Sequence, residues 1–142
     1  MELTIASEAE MEELGARLAE QYPSGIIHLQ GELGAGKTTL VRGWLRALGH
    51  QGKVKSPTYT LIEPYDLSGR RIYHFDLYRL TDPHELENIG ARDYFHPDAL
   101  CLVEWPERGG SLLPSPDLRI TIEHQGEQRR VRLEGSIAII NH

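Results

Sequence analysis

Apolar positions recur along the chain with two periods, and each period predicts a different kind of element. Met11, Leu14 and Leu18 fall on one stripe at helical spacing, and Ser7 with Glu10 three residues on spells a capping box. A helix is therefore predicted from Ser7 to about residue 21, after a short strand at 3–5. Residues 25–30 (GIIHLQ) form an apolar, β-rich run that enters a glycine-rich loop, and 38–48 (TTLVRGWLRAL) return to helical periodicity before Gly49. The order is strand, glycine loop, helix. Residues 58–65 and 71–77 flank Asp66, Ser68 and Gly69 and read as an antiparallel hairpin, and Asp82-Pro83 opens a short helix. The run ALCLV at 99–103 is continuously apolar, as a central strand covered on both faces requires, and it ends in Glu104. Residues 118–124 and 128–133 alternate apolar and polar around Gln125-Gly126, which predicts a second hairpin with one exposed face. No repeat, low-complexity stretch or linker divides the pattern. The expectation is one α/β domain over 1–142, with a mixed central β-sheet flanked by helices.

Composition narrows the classes open to such a fold. The 142 residues carry a formal net charge of −6, with 39% hydrophobic and 25% charged residues, which suits one globular core. That length leaves little room for a second substrate-binding domain or a long lid. An acidic balance argues against a protein whose main task is gripping nucleic-acid phosphates. The single cysteine, Cys101, excludes a disulfide framework and any multi-thiolate metal site. It lies in an apolar run, where an inert thiol is expected. No apolar run approaches the roughly 18 residues of a membrane span, and the N-terminus lacks the charge and apolar stretch of a signal peptide, so a cytoplasmic protein is expected. The seven histidines show no i, i+4 pair and no nearby cysteine, so no structural zinc is expected.

The chemistry sits in the glycine loop. Residues 31–38 spell GELGAGKT, a full match to G-x-x-x-x-G-K-[ST], between a predicted strand and a predicted helix. Gly31, Gly34 and Gly36 lack Cβ atoms, so the backbone there can take positive φ and turn its N–H groups inward as an anion nest. The following helix adds its N-terminal dipole, Lys37 an ammonium for the β and γ phosphates, and Thr38 a hydroxyl for magnesium. Magnesium takes one or two protein oxygens besides phosphates and water, so a carboxylate is expected nearby. Glu104, at the end of ALCLV, stands where P-loop NTPases carry an acid for the metal; the alternative is a solvated strand terminus. Asp76 in YHFDLY shares its strand face with Ile72 and His74, and an acid among apolar neighbours needs a partner. A metal-water or base role and an ion pair with an arginine both satisfy that need.

Two further segments carry weaker signals. The loop KVKSPTYT places Lys53, Lys55, Ser56, Thr58 and Thr60 where a switch segment sensing a γ-phosphate would lie, and a plain solvated loop fits the spacing as well. Arg129, Arg130 and Arg132, with Arg119, form either a positive stripe toward tRNA or an acidic partner, or the protected edge of a sheet.

GELGAGKTT, SPTYTL, HFDLYRL and LVEWPE, in this order and over nearly the whole chain, resemble the bacterial TsaE (YjeE) family. The resemblance implies a P-loop NTPase fold and an ATPase working with TsaB and TsaD. Its task would be the threonylcarbamoyl modification of the adenosine beside the anticodon in tRNAs reading ANN codons, with tRNA reached indirectly through that complex. ATP or ADP and magnesium are the implied cofactors. Carried over by motif, Gly34, Ala35, Gly36, Lys37, Thr38 and Thr39 would bind phosphates, and Thr38 and Glu104 would hold magnesium. Asp76 would be the acid needed for hydrolysis, joined by Lys37 and Glu104 as catalytic residues. Ser56-Pro57-Thr58 would be the switch-like loop, with Thr58 near the nucleotide, and Trp105 an aromatic beside nucleotide or partner. Ser7 lies in the N-terminal part of the family that approaches the nucleotide.

No arginine finger can be named from the sequence, so intrinsic hydrolysis is expected to be slow and partner-stimulated. Two rival classes remain at this stage. A small-molecule kinase of the P-loop class needs an acceptor pocket and a lid, and a nucleotide-gated scaffold needs neither turnover nor acceptor.

Overall fold

The structure is a computed structural model that describes residues 1–54, 57 and 59–135. Its elements follow the predicted order: β1 (Glu2–Ile5), α1 (Glu8–Gln21), β2 (Gly25–Gly31), α2 (Lys37–Ala47), β3 (Ile62–Leu67), β4 (Arg70–Asp76), α3 (Glu85–Asn88), β5 (Leu100–Glu104), β6 (Leu118–Gln125) and β7 (Gln128–Gly135). The strands form one mixed sheet in the order β1-β7-β6-β2-β5-β4-β3. Parallel pairing joins β6, β2, β5 and β4, while β1, β7 and β3 extend this centre by antiparallel pairing. The parallel core is where fully apolar strands belong, and all five residues of β5 are buried.

Local chemistry sets the boundaries. The Ser7 hydroxyl oxygen accepts from the Glu10 amide at 3.2 Å, and the Glu10 carboxylate accepts from the Ala6 amide, so the capping box forms with its return bond one residue early. Beyond α2 the His50 amide bonds back to the Leu45 carbonyl and the Gly49 amide to Arg46, with Gly49 at φ +110°. That is a Schellman end, and it needs glycine at the left-handed position. The β3–β4 hairpin turns on Ser68 and Gly69, both at positive φ, as a type I′ turn requires. It starts later than the alternation suggests: the Leu61 amide bonds to the Pro57 carbonyl and Leu61 sits at φ +69°, a turn that holds the strand off until Ile62. Helix α3 spans only four residues, and the Asp82 carboxylate accepts the His84 amide at its start.

The sheet divides two apolar layers. On one face α1 and α2 pack Met11, Leu14, Leu18, Leu40 and Trp44 against Ile27, Leu29, Leu102, Ile120 and Val131. On the other, Phe75, Cys101 and Val103 are covered by Leu86 and by Phe95, whose ring stacks on Phe75 at 5.1 Å. The two helices approach each other closely. A Cβ on Gly43 would lie 2.1 Å from the Glu12 carbonyl oxygen, and one on Gly15 2.3 Å from that of Leu40. Among the described residues no helix is long and apolar enough to cross a membrane.

The arginine run is not a sheet edge, because β1 lies outside β7 and takes that position. Only part of it is a stripe. With a period of two, Arg129 shares the side of buried Val131 and Leu133, whereas Arg130 and Arg132 share the other face with Arg119 of β6, and Arg132 pairs there with Glu2 and Glu123. Cys101 is buried as expected, its thiol donating to the Tyr94 carbonyl and pushed up to about 12 by burial.

Candidate functional site

Three parallel strands end at the same place. β2 runs into the glycine loop at Gly31, and the neighbouring β5 and β4 end with Glu104 and Asp76 in register beside it. A ligand bound beyond the carboxyl ends of these strands therefore meets the loop and both acids at once. In the loop Gly34 and Gly36 take φ +76° and +113°. A Cβ at Gly34 would touch nothing within 4 Å, so the space above the loop is open. Gly36 caps α2 without any side-chain hydrogen bond, and the first intrahelical bond runs from Leu40 to Gly36. The N–H groups of Lys37, Thr38 and Thr39 thus begin the helix with no cap, which is the arrangement that receives an anion.

Lys37 is buried at 5% exposure and folds back. Its ammonium donates to the carbonyl oxygens of Gly31 and Glu32 and lies 4.0 Å from the centre of the Trp105 ring. Burial lowers its pKa below the ordinary lysine value, while Glu104, then Asp76 and Glu107, act in the opposite direction. Trp105 itself is left-handed at φ +57°, the conformation that turns the chain out of β5 and sets its ring over the lysine. Asp76 and Glu104 are 5% and 3% exposed. One Asp76 oxygen accepts the Tyr78 amide at 3.1 Å, and Glu104 Oε2 lies 2.5 Å from His74 Nε2.

Of the residues singled out in the sequence, Gly34, Ala35, Gly36, Lys37, Thr38, Thr39, Asp76, Glu104 and Trp105 line one cavity of about 390 Å³. Ser7 stands apart, in a second cavity of about 180 Å³ that shares Glu8, Gly34, Ala35, Gly36 and Thr39 with the first. The loop is the wall between them. Lys55, Ser56 and Thr58 lie outside the described residues, so the switch-like loop is represented there only by its neighbours. Sequence reasoning missed three groups. Tyr78 lines the first cavity and packs on Trp105 at 5.0 Å. Arg129 lines the second cavity, and its Nε donates to the Ala35 carbonyl at 3.1 Å. Strand periodicity separates Arg129 from its neighbours, but only the strand order brings it to the loop. His74 is one of seven histidines with no i, i+4 partner, and nothing local to it signals Glu104, thirty residues on.

The residues present fit a nucleoside phosphate with magnesium. An uncapped helix start and an open glycine loop suit phosphate oxygens, and a hydroxyl with buried carboxylates is the hard oxygen set that magnesium prefers. Fold and loop together define a P-loop NTPase-type α/β protein. Comparison with known proteins makes this specific. The sequence model described as threonylcarbamoyl adenosine biosynthesis protein TsaE matches residues 5–132, and the chain belongs to the TsaE family. A Haemophilus influenzae relative, the "tRNA threonylcarbamoyladenosine biosynthesis protein TsaE", is 56% identical over 108 residues, covering 76% of this chain and 68% of its own. The Bacillus subtilis protein of the same name is 41% identical over 108 residues, covering 76% and 67%. The crystal structure of Bacillus subtilis YdiB has the same fold, with a TM-score of 0.74 at 30% identity over 92% of this chain and 82% of that one.

Proposed function

We propose that this chain is a magnesium-dependent ATPase of low intrinsic activity. It acts with TsaB and TsaD in the cytoplasm, where the complex places a threonylcarbamoyl group on the adenosine next to the anticodon of tRNAs reading ANN codons. One observation carries the ATPase reading: two buried carboxylates on adjacent strands share a cavity with Lys37 and Thr38 of the phosphate loop. A cavity for phosphate binding alone needs no buried acids, and such acids repel phosphate unless a cation stands between them.

The arrangement supports the following roles. The N–H groups of Gly34, Ala35, Gly36, Lys37, Thr38 and Thr39 receive the phosphate oxygens in the anion nest. Lys37 leaves the Gly31 carbonyl and the Trp105 ring and moves its ammonium onto the β and γ phosphates. Thr38 and Glu104 would hold magnesium, which would supply positive charge to offset that building on those phosphates. Asp76, on the strand beside Glu104, orients the attacking water and accepts its proton. With Asp76 and Glu104 on one side of the loop, the nucleoside extends to the other. There the second cavity is lined by Ser7, Glu8, Met11, Glu127 and Arg129. The Ser7 oxygen accepts the Glu10 amide with one lone pair, which leaves its hydroxyl proton and a second lone pair for a ligand.

Phosphate release from ATP, measured with and without TsaB–TsaD alongside a screen for phosphorylated small-molecule acceptors, tests this reading. Slow release that rises when the partners are added supports it. A phosphorylated acceptor identifies a kinase, and binding without turnover under either condition identifies a scaffold.

A further inference from the structure

The chemistry proposed above uses Glu104 and Asp76 and leaves idle a polar group buried between β4 and β5. His74 has no exposed surface, and it lies on the strand face of Ile72 and Asp76, two residues before the acid. Its Nε2 sits 2.5 Å from Glu104 Oε2, and its Nδ1 is buried without a hydrogen-bond partner among the described residues. Beside the imidazole on that face stand the aliphatic side chains of Ile72 and Leu102. A histidine here gives up hydration at two nitrogens and recovers one hydrogen bond, so packing does not account for it. If Nε2 carries the proton and donates to the carboxylate, the orphan at Nδ1 is a lone pair and not an N–H donor. Glu104 has a second suitor in the Lys37 ammonium, which it attracts across the cavity.

We propose that His74 is a positioning residue for the metal-bearing carboxylate. It pins one oxygen of Glu104, leaves the other for the site, and keeps the carboxylate from collapsing onto the lysine that the phosphates need. The proposal rests on the magnesium–ATP reading above. It adds a role for a residue that touches neither nucleotide nor water: a carboxylate held by a hydrogen-bonded partner keeps its orientation, and loss of such outer partners typically lowers metal affinity about 10- to 100-fold.

Calorimetric titration of the full chain with ATP, once in excess magnesium and once in EDTA, tests it. The quantity read is the factor by which magnesium tightens ATP binding. His74→Gln carries an amide nitrogen that reaches the position of Nε2, whereas the His74→Asn amide falls short of it and His74→Leu has no donor. His74→Gln should keep the magnesium factor within about threefold of the native value. His74→Asn and His74→Leu should reduce it at least about tenfold while leaving binding in EDTA within about twofold. Measuring both means that a folding failure of one leaves the other to decide. If either folded donor-deficient variant keeps the native factor, or if His74→Gln loses it too, His74 does not position Glu104. If binding in EDTA and melting temperature fall in step with the factor, its role is structural and the proposal is overturned. A native protein that binds no ATP, or binds it equally with and without magnesium, fails the underlying reading and is recognised before any variant is made.

Discussion

Lys37 rests against two carbonyl oxygens and an indole ring, and each contact must be given up when phosphate arrives. Two consequences can be measured. Charged hydrogen bonds contribute about 1.5–3 kcal/mol, so Lys37→Met should weaken ATP binding by at least about tenfold and abolish hydrolysis. Titration calorimetry and phosphate release read the two effects, and native turnover in this variant would end the phosphate-loop argument. The indole also reports the lysine's departure. Trp44 is fully buried on the inner face of α2, so Trp105 should dominate any fluorescence change on adding ATP and magnesium, and Trp105→Phe should remove that change. A second residue sets a pH limit. Burial first, then the Arg119 charge beside it, lower His28 from 6.5 to about 4, with a backbone contact at Pro114 opposing. As pH falls the unfolded chain therefore takes up this proton before the folded one. Stability is lost between about pH 6.5 and 4 and changes no further from this source below that. His28→Gln should flatten that part of the curve, as read by thermal melts across the window; an unchanged slope would show that other groups carry it.

At the scale of elements, α1 and α2 are held close enough that the glycines between them have no room for a methyl group. Ordinarily alanine gains up to about 1 kcal/mol over glycine inside a helix. At Gly43 the new carbon would meet the backbone of Glu12 at 2.1 Å, and backbone cannot step aside as a flexible side chain can. Overpacking of this kind costs about 1–3 kcal/mol or more, so Gly43→Ala should destabilise despite the propensity gain. Since α2 carries the phosphate loop at its start, the variant should also weaken ATP binding; denaturant melts and calorimetry separate the two losses. These elements were legible because their signals are local: a capping box, a Schellman glycine, period-two hairpins and an apolar central strand each span a few residues. Alternation places the β3 start too early because the left-handed Leu61 follows from a turn. The Arg129 contact with the loop and the His74–Glu104 pair depend on which strand lies beside which. No window of sequence contains that.

At the scale of the whole molecule, the sheet order brings the two acids of the site within one cavity, at the risk of like-charge repulsion in a place with little water. Glu104 and Asp76 are both nearly buried, and both act on the Lys37 ammonium. Sites of this kind hold charge for function at some cost to the fold, so removing one charge without changing shape should relieve the fold while disabling the site. Glu104→Gln is that change, since the amide oxygen can still accept from His74. Its melting temperature should equal or exceed the native value, whereas phosphate release should fall by about 10²–10³, the usual loss when one charge-stabilising group is removed. In a reconstituted reaction with TsaB–TsaD, tRNA and threonylcarbamoyl-adenylate, the same variant separates binding from hydrolysis. If hydrolysis resets the complex after each round, modified tRNA should stop at about one per complex with Glu104→Gln, as with native protein and a non-hydrolysable ATP analogue. Native protein with ATP should continue. Repeated rounds with the variant at native rate would show that nucleotide binding alone serves the complex, and the two acids would then need another explanation for their burial.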